Sequence, residues 1–189
     1  MTQSNDEKKQ ITQNLVQMLR EVPEPLYVIL DAARDEKVLQ TLYNCEDQFQ
    51  SLYEGEKGLE LAEVAPYLVS LPKGSKYLDP LIELGWGNSW GIFFTCKESF
   101  KDARRHLRRF LMVKNEEGKR LYFRYYDPRV LRVFLPTCTP QEITDFFGPI
   151  STYIMEAKQP ETLLMFTDSG RGVKQNEYPL LHRRRSRGR

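Results

Sequence analysis

Histidine is nearly missing from this chain: there are two in 189 residues, His106 and His182. A metal site would have to draw most of its ligands from carboxylates or thiols, and no spacing offers such a set. Cysteine is almost as sparse. Cys45, Cys96 and Cys138 are odd in number and far apart, with no Cys-x-x-Cys. That argues against a disulfide framework and against a zinc knuckle. No apolar run approaches the roughly 18 residues of a membrane span, so no membrane insertion is expected. The N-terminus "MTQSNDEKKQITQNLVQML" lacks the apolar stretch of a signal peptide. These absences together lead to the expectation of a reducing cytoplasm.

Net charge is also small, +2. Five of the positive charges are Arg183, Arg184, Arg185, Arg187 and Arg189, and without them the body carries −3. A weakly acidic body is a poor start for a nucleic-acid protein. What is present is ordinary globular composition, 40% hydrophobic and 29% charged. The length suits one domain, or one domain with a small second lobe.

Ile11, Leu15, Met18, Leu19 and Val22 recur at helical spacing, which predicts an amphipathic helix over 6–21, ended by "PEP". "LYVILD" (26–31) is a continuous apolar run, as in a central strand buried on both faces. A helix around Val38 and Leu42 follows, then "QFQSLY" as a strand. Next come a loop with a helical turn, the strand "PYLVSL", a short helix at "KYLDPLIELG" and the strand "WGIFFTC". This alternation is the α/β pattern.

Residues 98–111 form the clearest helix. "FLMVKNEEGKRLYFRYY" reads as a hairpin turning at Glu117-Gly118, with Asp127-Pro128 ending its second strand. "TPQEITDFFG" carries a capping box, with Thr139 at the N-cap, Glu142 three residues on and Gly148 as the stop. The fold class expected is α/β: a mixed sheet flanked by helices, with a small C-terminal α+β lobe and a disordered basic tail. The boundaries expected are 1–126, 127–168 and 169–189.

Candidate chemistry is thin, and no cofactor is expected. Cys96 precedes a helix, and Cys138 precedes the N-cap Thr139, settings in which a helix dipole can activate a thiol. The commoner role of a free cysteine at a strand end is that of a small buried apolar group. His106 reads as a solvated flank of the basic helix. "GWGNSWG" (85–91) fits neither phosphate-loop pattern, so its glycines read as a tight turn, with Trp86 and Trp90 around it as candidate binding anchors. Glu54, Glu56, Glu60 and Glu63 read as a solvated acidic face.

The arginines are more informative. Lys101, Arg104, Arg105, Arg108 and Arg109 share one helix face. Such a face can hold phosphates or pair with carboxylates. In "LYFRYYD", strand alternation puts Tyr122, Arg124 and Tyr126 on one face and Leu121, Phe123 and Tyr125 on the other. Tyrosine and arginine are hot-spot residues in protein interfaces and also stack on RNA bases. Periodicity does not choose between the two. Arg104, Arg105, Tyr122, Arg124 and Tyr126 are therefore candidate partner-binding residues. Asp127 is expected to pair with a neighbouring arginine, Arg129 or Arg108 among them, and so to fix the corner after the hairpin.

Several motifs occur in a fixed order: "LDAAR", "LYEGEKGLELAEVAPYLVSL", "GWGNSWGIFF", "ARRHLRRFLMV", "LYFRYYDPRVLRVFLPTC" and "FFGPI". Over residues 26–150 the chain resembles the domain-of-unknown-function 4123 family, the adaptor chaperones of bacterial type VI secretion. The resemblance implies a non-enzymatic role with two protein partners. One is a secreted toxic effector, bound in the cytoplasm; the other is the valine-glycine-repeat spike that carries it. It implies no catalytic residues, no specific nucleic acid and no cofactor. Family members continue into a longer helical C-terminal lobe, a pattern from which this sequence departs. Two alternatives stay beside it. One is an RNA- or DNA-binding module using the arginine helix and the Tyr/Arg strand. The other is a hydrolase built on Cys96 or an acidic pair.

Overall fold

The computed structural model describes residues 2–114 and 117–181. In chain order the elements are α1 (Thr2–Glu21), β1 (Leu26–Asp31), α2 (Glu36–Leu42), β2 (Phe49–Ser51), α3 (Gly55–Glu60), β3 (Pro66–Leu71), α4 (Leu78–Gly85) and β4 (Gly91–Cys96). Then follow α5 (Phe100–Arg108), β5 (Met112–Lys114), β6 (Arg120–Tyr122), α6 (Pro128–Phe134), α7 (Pro140–Phe147), β7 (Ile150–Glu156), β8 (Thr162–Asp168) and β9 (Val173–Pro179).

Seven strands form one sheet in the order β2-β3-β1-β4-β7-β8-β9. Every ladder in it is antiparallel. The expected sheet flanked by helices is present, but its neighbouring strands are not mixed in direction. The reason lies in the crossovers. β1 and β2 run the same way with β3 inserted between them, and β3 and β4 run the same way with β1 inserted. Alternation of strand and helix therefore produces parallel strands that never touch.

β1 is buried along its whole length because helices cover both faces of the sheet. Tyr27 and Ile29 point into a cluster with Phe100, Leu107, Leu131 and Phe146 of α5, α6 and α7. Val28 and Leu30 point the other way, to Leu15, Val38 and Ile82 of α1, α2 and α4. Strand side chains alternate between faces, so a strand buried on both must be apolar throughout. Gly91 opposes Leu30 in the β1–β4 ladder, and a Cβ there would stand 1.9 Å from the Ile29 carbonyl oxygen. Only glycine fits.

Two expectations change. Residues 150–179 do not build a separate lobe: β7, β8 and β9 continue the main sheet. Nor is 169–181 a tail. β9 pairs with β8 along seven residues, Leu180 is buried, and its backbone N–H donates to Glu161 O at 2.7 Å. The polar sequence "VKQNEYP" misleads because an edge strand needs few apolar side chains. The Arg-rich stretch 182–189, His182 included, lies outside the described residues.

Candidate functional site

α5 leads directly into the short antiparallel hairpin β5–β6, which forms a second, two-stranded sheet. β6 ends at Tyr122, and the chain then turns rather than continuing as a strand. Tyr125 and Tyr126 are consequently both buried, not on opposite faces. The Tyr125 hydroxyl donates to Leu107 O at 2.9 Å, and the Tyr126 ring packs edge-on against that of Tyr125 at 5.6 Å. Burial thus removes Tyr126 from the candidate contact surface. Tyr122 remains outside, its ring 5.8 Å from that of Tyr53.

The corner after the hairpin is held by two ion pairs. Arg124 reaches the fully buried carboxylate of Asp31 at the end of β1. Arg129 grips Asp127, with Nε at 2.9 Å from Oδ1 and Nη2 at 2.5 Å from Oδ2. Asp127 is also the N-cap of α6, accepting from the Arg129 backbone N–H at 2.9 Å. The two carboxylates respond differently. Burial pushes Asp31 above the usual carboxylate range in spite of Arg124, while Asp31 raises the Arg124 guanidinium. The carboxylate decides the balance, because it is the end cut off from water. Burial also pushes Asp127 up, but the Arg129 side chain and backbone N–H outweigh it and leave the group below its ordinary value.

The arginine helix is largely committed inward. Arg104 donates from Nε and Nη2 to Ser51 O at 2.8 and 2.6 Å and pairs with Glu54. Arg108 donates to Leu52 O at 2.9 Å and reaches Glu54 at 2.6 Å. The two guanidiniums therefore tie α5 to the end of edge strand β2. Arg104 is only 9% exposed, which overturns its reading as a partner-binding residue. Arg108 serves this tie and not the Asp127 corner. Glu54, read as part of a solvated face, is the acid that holds both. Arg105 stays exposed beside Asp102, at 2.5 Å.

The two tryptophans also point inward. Trp90 is 2% exposed, so it is no surface anchor. Trp86 is half-buried and donates from Nε1 to Pro160 O at 2.7 Å. Their loop encircles the buried carboxylate of Glu156, which accepts from Gly87 N at 2.5 Å, Ser89 N at 3.1 Å and Ser89 Oγ at 2.9 Å. Gly87 and Ser89 both adopt positive φ to aim these donors. The glycine-rich loop thus binds an anion, but one supplied by the chain's own β7.

The remaining reactive groups are quiet. Burial pushes the Cys96 thiol up and the Cys138 thiol up to about 11. Thiols in such surroundings stay protonated. His106 is buried, not solvated. Its Nε2 lies 2.8 Å from Phe146 O and its Nδ1 3.2 Å from Arg109, and burial lowers its pKa. Its ring packs on Gly148, where a Cβ would fall 2.3 Å from Cε1. Among the described residues no helix is long and apolar enough to cross a membrane.

What faces outward is the hairpin. Met112, Val113, Leu121 and Tyr122 are 40, 39, 42 and 57% exposed. They are paired Met112 with Tyr122 and Val113 with Leu121. Sequence reasoning found Tyr122 here, passed over Met112 and Val113, and set Leu121 with Phe123 and Tyr125 on the strand face that fits a core; Leu121 is exposed instead. Their sequence signal is weak, two apolar pairs on either side of a polar turn, Met112-Val113 and Leu121-Tyr122.

Comparison with curated proteins and with solved structures returns no match. The family profile described as Domain of unknown function (DUF4123) matches residues 26–145, a span that runs from β1 into α7 and takes in the double ion-pair corner, the Glu54 tie and the hairpin; the chain belongs to that family.

Proposed function

We propose that this protein is a non-enzymatic adaptor. It binds a toxic effector protein in the cytoplasm and assists its loading on the valine-glycine-repeat spike of a type VI secretion system. The observation that carries this reading is the hairpin. Apolar side chains on an isolated two-stranded ribbon gain nothing from water, and clustered exposed apolar groups mark protein-binding surfaces. The ion pairs beneath, Arg124 with Asp31 and Arg129 with Asp127, give that ribbon a firm base.

The rivals lose support at named residues. A phosphate-binding helix needs uncommitted cations, whereas three of the five on this face are engaged, Arg104 and Arg108 by Glu54 and Arg105 by Asp102. A cysteine hydrolase needs a thiolate beside a free base. The Cys96 thiol is buried and raised, and the His106 ring is turned to the Phe146 carbonyl.

The test is an in-frame deletion in the source bacterium, with the effectors bound to purified spike measured by mass spectrometry. One effector should disappear from the spike fraction and return on complementation. An unchanged effector set would refute the adaptor role.

A further inference from the structure

The β5–β6 hairpin holds an internal charge conflict. Lys114 stands directly opposite Arg120 in the ladder, and both are exposed. Like charges directly opposed across a ladder are destabilising. Neither has an ion-pair partner among the described residues. Glu117 in the turn is the one acid among the hairpin's described residues, and Glu54 is already engaged by Arg104 and Arg108.

Residues two apart on a strand share a face. Met112 and Tyr122 therefore lie on the same face as Lys114 and Arg120. The face carries an apolar pair at its base and a cation pair roughly 7 Å further out, two strand steps away. The Tyr53 ring extends the apolar end.

Building on the adaptor reading, we propose that this face receives an acidic amphipathic segment of the bound effector. Its apolar side chains cover Met112, Tyr122 and Tyr53, and a carboxylate sits between Lys114 and Arg120. That carboxylate turns the repulsion into two charge-assisted hydrogen bonds, and the planar Arg120 fork can hold it with both arms. The complementarity has two parts, so neither a purely apolar nor a purely anionic ligand satisfies it.

The experiment uses the full-length protein and three labelled synthetic peptides of equal length, with leucine–glutamate, leucine–lysine and serine–glutamate patterns. A labelled oligouridine is the fourth probe. Binding is read by fluorescence anisotropy. The leucine–glutamate peptide should bind about tenfold more tightly than each of the other probes. Lys114→Glu with Arg120→Glu should transfer the preference to the leucine–lysine peptide. Met112→Ser with Tyr122→Ser should weaken binding while leaving the charge preference in place. Circular dichroism confirms that both variants fold. Indifference to peptide charge, tighter binding of the oligouridine, or binding untouched by both pairs of substitutions would overturn the proposal. If the effector co-purifies equally with the charge-reversed variant, this assignment falls and the adaptor role stands. If it never co-purifies with the parent, the adaptor role falls by itself.

Discussion

Arg124 closes an ion pair with Asp31 across 93 residues of chain, tying the end of the central strand to the segment between hairpin and α6. The carboxylate end is fully buried and the guanidinium end is half-exposed. Arg124→Ala leaves the buried charge alone and should cost about 3 kcal/mol, the lower end for a broken buried pair. Replacing both partners, as Asp31→Asn with Arg124→Leu, should recover part of that loss. Urea unfolding of the two variants decides it; an Arg124→Ala protein as stable as the parent would show that the pair contributes nothing.

Asp127 does two jobs, capping α6 and holding Arg129. Asp127→Ala should destabilise by about 2 kcal/mol, of which about 1 kcal/mol is the lost cap. Asp127→Asn keeps an oxygen for the Arg129 backbone N–H and should lose less. Equal losses in thermal melts would mean that the cap is not what matters.

Much of this frame was legible beforehand. The apolar run of β1, the helix α1, the Thr139–Glu142 box and the Gly148 stop follow from local periodicity and capping chemistry. The capping box is present with both reciprocal bonds. Contacts made at long range were not legible. No local pattern says that Arg104 turns to Ser51 and Glu54, or that Glu156 fills the glycine-rich loop. Strand alternation failed at Tyr125 and Tyr126 because the chain leaves β6 early to begin α6. Polar composition failed at β9 because an edge strand can look like a tail.

Gly148 and His106 should be inseparable. Gly148→Ala places a methyl against the imidazole, at a backbone φ of +50°, and should lower the melting temperature sharply. The histidine also brings a pH dependence. Its folded pKa lies below the ordinary 6.5, so its contribution is complete above that pH and is lost as pH falls below it. Asp31 and Glu156, both raised by burial, act in the opposite sense, gaining stability as pH falls through their folded values. The His106 part is therefore the difference between the parent and His106→Asn. Parallel stability–pH curves from pH 7.5 to about 5 would contradict it.

Ending the chain at Gly170 should destabilise it strongly. The truncation removes the whole β8–β9 ladder, and with it buried Leu180, whose carbonyl accepts from Asn14 Nδ2 at 2.7 Å. A truncated protein that melts like the full chain would mean that β9 is an accessory.

Reconstitution with the effector puts the adaptor role to the most direct measurement. The protein and each effector recovered from the parent strain's spike fraction are purified separately, mixed, and examined by size-exclusion chromatography with light scattering. Parent protein and effector should elute together as a complex of defined mass, and Met112→Ser with Tyr122→Ser should return both to their separate positions while the variant keeps its own fold. Separate elution of the parent and every such effector at micromolar concentrations would contradict an adaptor role.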